Sequence, residues 1–268
     1  MPLVVCATPI GNLEDITLRA LAALRDADVV LCEDTRHTGG LLARHGIDAR
    51  LLSYHEHNEA ARTEELLPRL AAGERIVLVS DAGMPGISDP GARILRASLA
   101  AGIEVTVLPG ASAVETALVA SGLVADRYEF VGFLPRGEKA LAELWRSLRD
   151  RTWPLVAFES PRRLPATLRS LASTSPERPV AVCRELTKRF EEVARGTAAE
   201  LAARFSAPPK GEITLVIGGA DAAVPHDDRP ALEAMAELVA GGLPRRQAAA
   251  LVGRLTGISR NRLYRSSL

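Results

Sequence analysis

The feature that most constrains this chain is the alternation, in its first half, of Ala/Leu-rich helical stretches with short runs that have an apolar centre and no wholly polar face. Leu3–Ala7, Asp28–Cys32, Arg75–Ser80 (R-I-V-L-V-S) and Glu104–Leu108 (E-V-T-V-L) read as strands. Thr17–Ala27, Ala92–Ala101 and Ser112–Ser121 read as the helices that follow or separate them. A strand without a polar face is buried on both sides, and a helix between two such strands makes a parallel crossover. The expectation is an α/β fold built on a mostly parallel sheet.

The texture then changes. Strands are expected at Tyr128–Phe133, Pro154–Glu159, Pro179–Arg184, Glu191–Arg195 and Glu212–Gly218, with helices at Glu138–Arg149, Arg162–Leu171 and Ala198–Phe205. These complete a second sheet, and the boundary is placed near residues 115–125. The expected organisation is an N-terminal α/β domain over 1–120, a second α/β domain over 121–220, and a linker with a basic helical tail over 221–268.

The tail is singled out by charge. Lys+Arg and Asp+Glu are both 33, so the whole chain is formally neutral. Leu243–Leu268 nevertheless carries six arginines (245, 246, 254, 260, 262 and 265) and no acid, which leaves a net of −6 on the rest. Six cations with no counter-acid suit a nucleic-acid contact, and a packed amphipathic hairpin is the competing reading. The run from Pro244 to Tyr264 reads as a helix, a Gly turn and a short helix opened by Ser259, spaced like a helix-turn-helix. The excess of Arg over Lys, 30 against 3, is read first as coding bias.

Several function classes are excluded or disfavoured. Cys6, Cys32 and Cys183 are far apart, with no C-x-x-C pair, so neither a disulfide framework nor a zinc site is signalled. The N-terminus lacks a basic region followed by a long apolar stretch, and no apolar run reaches the ~20 residues of a membrane span, so a cytoplasmic protein is expected. No G-x-G-x-x-G follows the first strand, and neither a P-loop nor a G-x-S-x-G elbow is present. His55-Glu56-His57 would place both imidazoles on one side of an extended segment, but no third ligand is evident, and no metal is expected.

What the chain has instead is three loops rich in Gly or Pro, each at the carboxyl end of an expected strand: Thr8-Pro9-Ile10-Gly11-Asn12-Leu13, Ser80–Gly91 (S-D-A-G-M-P-G-I-S-D-P-G), and Pro109-Gly110-Ala111-Ser112-Ala113. Ligands of open α/β sheets bind beyond the carboxyl ends of the strands. Gly allows close backbone approach there and Pro stiffens the loop. Asp81 suits an acceptor for a ribose diol or an amino group. Acids, His and Arg cluster in Glu33-Asp34-Thr35-Arg36-His37 and in His55-Glu56-His57-Asn58.

These loops, together with E-D-T-R-H-T (33–38), F-L-P-R (133–136), E-S-P-R-R (159–163), R-E-L-T-K (184–188) and G-E-I-T-L-V-I (211–217), resemble the tetrapyrrole-methylase-like class of S-adenosylmethionine-dependent methyltransferases. The resemblance runs from about residue 3 to the C-terminus. It implies a two-domain α/β fold with S-adenosylmethionine in the cleft between the domains, and a homodimer. Carried over by motif, the cofactor contacts are Pro9, Ser80, Asp81, Met84, Ser112 and Ala113 from the first half. Phe158, Glu159, Leu186, Glu212 and Ile213 follow from the second, on the adenine side. Porphyrinoid methylases typically show Gly-Asp-Pro where this chain has Ser80-Asp81-Ala82. The set is most similar to the subgroup that 2′-O-methylates a cytidine ribose in the decoding centre of 16S rRNA within the 30S subunit. A ribose hydroxyl needs a proton acceptor and charge stabilisation. The expected catalytic set is therefore Glu33, Arg36, His55, Glu56 and Lys188, although Lys188 and Glu185 could equally form a plain ion pair. The alternatives are a porphyrinoid C-methyltransferase and a non-catalytic RNA-binding module.

Overall fold

The structure, a computed structural model, describes residues 2–220, 229–256, 258, 260, 263 and 264. The chain divides into two compact units, Met1–Val224 and Pro225–Leu268.

The first unit contains two five-stranded sheets. Sheet one is all parallel, in the order β3-β2-β4-β1-β5, with β1 Leu3–Cys6, β2 Val29–Cys32, β3 Leu51–Ser53, β4 Ile76–Leu78 and β5 Val105–Leu108. Its crossovers are α1 Leu18–Asp26, α2 Thr35–Arg44, α3 Glu59–Ala71 and α4 Ala92–Ala100. The central strands are buried at nearly every position, as their unbroken apolar runs require. Helix starts are set by short polar side chains: the Thr17 hydroxyl accepts the Ala20 N–H, and the Asp34 carboxylate accepts the Arg36 N–H.

Three elements between residues 35 and 71 are additions to the sequence reading: α2, β3 and α3. Each is weakly marked in sequence. Helix α2 carries Gly39-Gly40, α3 carries Pro68, and β3 is a half-buried three-residue edge strand. His55–His57 forms a turn leading into α3 and is not extended, so strand alternation does not align the two rings, whose centroids are 5.9 Å apart.

Sheet two is mixed, in the order β6-β7-β10-β8-β9, with β6 Glu129–Phe133, β7 Leu155–Glu159, β8 Pro179–Arg184, β9 Glu192–Thr197 and β10 Ile213–Ile217. Helices α6 Glu138–Ser147, α7 Leu164–Thr174 and α8 Ala198–Arg204 accompany it, and Trp145 fills the centre of their core. Helix α5, Ala113–Ser121, is the joint. It follows β5 in the chain, yet it buries Val114, Ala117 and Leu118 against Val156, Ala181 and Val216 of the second sheet. Ile10 of the first loop joins the same cluster. Cys6, Cys32 and Cys183 are free and buried, and burial pushes Cys6 and Cys183 up to about 12.

The second unit pairs α9 Arg229–Ala240 with α10 Arg245–Thr256 through a turn at Gly241-Gly242. Ala231 and Met235 pack on Ala248, Ala249 and Val252, with Leu263 closing the cluster. Arg245, Arg246, Arg254 and Arg260 are exposed. Helix α9 lies immediately after the expected linker and was not marked in sequence. Gly257, Ser259, Arg262 and Arg265, on which the second helix of the expected motif depends, lie outside the described residues. Among the described residues no helix is long and apolar enough to cross a membrane.

Candidate active site

All five strands of sheet one run in the same direction, so their carboxyl-end loops gather at one edge of the sheet. The loops after β1 and β4 are tied together. Thr8 and Gly83 exchange backbone hydrogen bonds of 2.9 and 3.1 Å, and the Thr8 hydroxyl donates to the Ser80 carbonyl at 3.0 Å. The Ser80 hydroxyl donates to the Gly83 carbonyl at 3.1 Å. Gly110 lies against Ala7, where a Cβ would come within 2.9 Å of the alanine methyl. These contacts fix the three loops against one another.

Beyond the tied loops lies a cleft of about 640 Å³. Met84, Ser112 and Ala113 line one side; Phe158, Glu159, Leu186, Glu212 and Ile213 line the other. Eight of the eleven expected cofactor positions thus share one cavity. Pro9, Ser80 and Asp81 belong to the same loops but do not line it: Pro9 and Ser80 are buried, and Asp81 accepts the Asp34 N–H at 3.2 Å.

The expected catalytic residues stand elsewhere. Glu33 and Glu56 are exposed beyond β2 and β3, outside the cleft lining. His55 meets the Asn58 amide through Nε2 at 3.1 Å. Arg36 is 91% exposed and chelates Asp34. Hydrogen bonds from Arg36 hold the Asp34 carboxyl down at about 2. Lys188 bridges Glu185 and Glu212 at 3.1 and 2.9 Å, the ion-pair arrangement.

Lys188 belongs to a strained turn. Glu185 and Thr187 have φ of +51° and +64°, conformations that side chains disfavour. The turn is held by the Glu212 N–H donating to Glu185 (2.9 Å), the Thr187 N–H donating to Glu191 (2.6 Å) and the Asn12 N–H donating to the Thr187 hydroxyl (2.9 Å). It thereby presses Leu186 into the cleft while locking onto the loop after β1.

The sequence reading missed Ile10, Asp89, Glu115, Tyr128, Phe130 and Phe133, all of which line the cleft. A register shift in β6, with Gly132 at φ +67°, accompanies the placing of Phe130 and Phe133 against Phe158, at centroid separations of 5.0 and 5.6 Å. A glycine inside a strand pattern is the signal that could have flagged this bulge. Glu115 receives the Ser112 and Tyr128 hydroxyls; burial pushes its carboxyl up, but these hydrogen bonds outweigh it and leave the group below its ordinary range. Asp89 shifts the other way, to about 6, because of burial and the nearby charges of Glu33 and Asp81, against a smaller effect of Ser80.

The lining fits a nucleoside-like cofactor. The volume is that of a small-molecule site, the walls are chiefly aromatic and aliphatic, and the few polar groups converge from two sheets. The family profile described as Tetrapyrrole (Corrin/Porphyrin) Methylases matches residues 2–202. The chain belongs to the tetrapyrrole methylase family. A second profile, the RsmI C-terminal HTH domain, matches residues 226–268. Curated relatives within this family include a Ribosomal RNA small subunit methyltransferase I from Synechocystis sp., 44% identical over 98% of this chain and 95% of that one. The protein of the same name from Escherichia coli O157:H7 is 41% identical over 99% of this chain and 94% of that one. Among solved methylase-fold structures, the methyltransferase CobJ superposes with a TM-score of 0.60 at 20% identity, covering 81% of this chain and 94% of that one. Uroporphyrin-III C-methyl transferase from Thermus thermophilus, complexed with S-adenyl homocysteine, gives 0.57 at 19% identity, over 81% and 97%. These likenesses carry the fold, and the expected two-sheet methylase architecture is the one observed.

Proposed function

We propose that this tetrapyrrole-methylase-family chain transfers a methyl group from S-adenosylmethionine to the 2′-hydroxyl of a cytidine ribose in the decoding centre of 16S rRNA. It acts on the 30S particle, in the cytoplasm, as a homodimer. The observation that carries the reading is the convergence of motif positions from both sheets on one cleft. The relatives named as small-subunit rRNA methyltransferases support the choice of substrate.

When bound, S-adenosylmethionine supplies a methyl carbon activated by a positive sulfonium. The protein's part is to hold the donor and align the acceptor oxygen. Phe158, Leu186 and Ile213 offer an apolar slot suited to the adenine. Glu159 braces the slot through its ties to Ser160 and Thr167, and Glu212 sits at the rim with Lys188. Met84, Ser112 and Ala113, on the loops of the first sheet, would hold the other end. Pro9, Ser80 and Asp81 would act through loop conformation.

Methyl transfer from radiolabelled S-adenosylmethionine to unmodified 30S subunits and to protein-free 16S rRNA tests this reading. Label confined to one ribose of the decoding region is expected. Label on a base, or none on either RNA substrate while cofactor binding is intact, would overturn the substrate.

The exposed arginines of α10 suit a phosphate contact. Replacing Arg245, Arg246 and Arg254 with Gln should leave cofactor affinity unchanged and weaken binding to single-stranded rRNA segments. The slope of log K against log salt should fall in magnitude by up to about 2, at roughly 0.7 per phosphate contact. An unchanged slope would assign the helix to packing.

A further inference from the structure

We infer that Asp89 is the proton acceptor for the ribose hydroxyl. The inference rests on the proposed ribose methylation and names a group that reading leaves open. As the 2′-oxygen bonds to the methyl carbon, that carbon's bond to sulfur breaks with its electron pair remaining on sulfur, and the hydroxyl proton passes to the Asp89 carboxylate. Charge and atoms balance without a further reactant.

Geometry selects Asp89 by elimination among the titratable groups that line the cleft. Glu159 is fully buried and already accepts the Ser160 N–H and the Thr167 hydroxyl. Glu115 is occupied by the Ser112 and Tyr128 hydroxyls, which also commits Tyr128 as a donor. Glu212 is paired with Lys188 at the rim. The Cys183 thiol is buried and directed at the Ala117 carbonyl. Among the described residues Asp89 makes no ion pair and takes a side-chain hydrogen bond from Ser80 alone, and it sits on the loop after β4, opposite the adenine-side wall.

Its surroundings make it a usable base. The charges that reach it come from two loops: Glu33 after β2, and Asp81 after β4. The Ser80 hydroxyl pulls in the opposite direction. Asp81 is anchored by the Asp34 N–H, and Arg36 is paired with Asp34, so the Arg36 cation is spent on Asp34 and does not offset the acidic pair. From the second sheet the same loop meets the backbone of Gly132, close to Ser88. Burial and two like charges raise the Asp89 carboxyl to about 6, so that it is ionised yet comparatively basic at neutral pH. On this account Glu33 and Asp81 act by tuning Asp89, and neither needs to touch the substrate.

The test is the pH dependence of kcat/KM for label transfer to 30S subunits, with cofactor affinity measured by calorimetry on each variant. The wild type should show an acid limb of unit slope with its midpoint near 6. Asp89→Asn should lose about 100-fold or more in rate, together with the acid limb, while cofactor affinity stays within about threefold. Asp89→Glu, which retains a carboxylate, should recover part of the rate and keep an acid limb. Glu33→Gln should keep a substantial rate and move the limb to lower pH, because it removes one of the two like charges that raise Asp89. Asp89→Asn with an unchanged rate or an unchanged limb would overturn the assignment, as would a loss of cofactor binding that accounts for the rate. A wild type that methylates no ribose would overturn the substrate reading and this inference with it.

Discussion

Glu159→Ala is expected to destabilise the protein by about 3 kcal/mol, while Glu159→Gln is expected to cost only about 1. The Glu159 side chain is fully buried at the end of β7. One oxygen accepts the Ser160 N–H at 2.7 Å and the other the Thr167 hydroxyl at 2.6 Å, with Arg163 at 3.4 Å. Alanine leaves a buried donor and a buried hydroxyl unpaired, each worth roughly 1–3 kcal/mol, and opens a void behind the cleft wall. Glutamine preserves both contacts by reversing one: its carbonyl accepts the Ser160 N–H, and its amide donates to the Thr167 oxygen. Arg163 loses its charge partner but keeps its bonds to the Leu134 and Pro135 carbonyls. Denaturant unfolding of the two variants checks this directly. Equal losses would mean that the charge, and not the hydrogen-bond inventory, holds the site.

The second large effect is expected at Gly11. A Cβ there would lie 2.5 Å from Lys188 Cγ, 2.7 Å from the Thr187 hydroxyl and 2.9 Å from the Leu186 carbonyl. The lysine stem could bend away, but the carbonyl and Thr187 belong to the strained turn and are anchored on both sides. Gly11→Ala should therefore cost about 2 kcal/mol through overpacking. Because the same turn presents Leu186 to the cleft, cofactor affinity should fall about tenfold, equivalent to roughly 1.4 kcal/mol. Gly40→Ala is the control. It lies in α2 with nothing near its added methyl, so it should stabilise by about 0.5–1 kcal/mol and leave cofactor binding unchanged. Calorimetry on both variants separates the outcomes, and undiminished affinity in Gly11→Ala would show that the turn does not shape the cleft.

Much of the scaffold was legible in the chain itself. Wholly apolar runs such as Val29–Cys32 have no way to meet water, and so they specify a sheet covered on both faces wherever they occur. The same local logic marked the loops at the carboxyl ends of β1, β4 and β5, because Gly and Pro act on the backbone of their own segment. Elements with mixed signals stayed hidden: a helix with two glycines, a helix with an internal proline, and a three-residue edge strand. Their stability comes from burial against neighbours far away in sequence.

The cleft itself belongs to the tertiary structure. Leu186 lies in it because a turn more than 170 residues away locks onto Asn12, and Phe133 joins Phe130 against Phe158 because the register shifts between them, at Gly132. The clusters around Glu33 and His55 carry the residue types that proton transfer needs, yet none of the expected catalytic positions lines the cavity. Asp89, in a turn-like Ser-Asp-Pro-Gly stretch, carries no local mark of a base. Sequence determines which side chains can ionise, and spacing along a segment determines which backbone can bend. Burial and the charges that converge through space decide which carboxylate holds its proton to about 6, and convergence of that kind exists only once the parallel sheet has brought its loops to one edge.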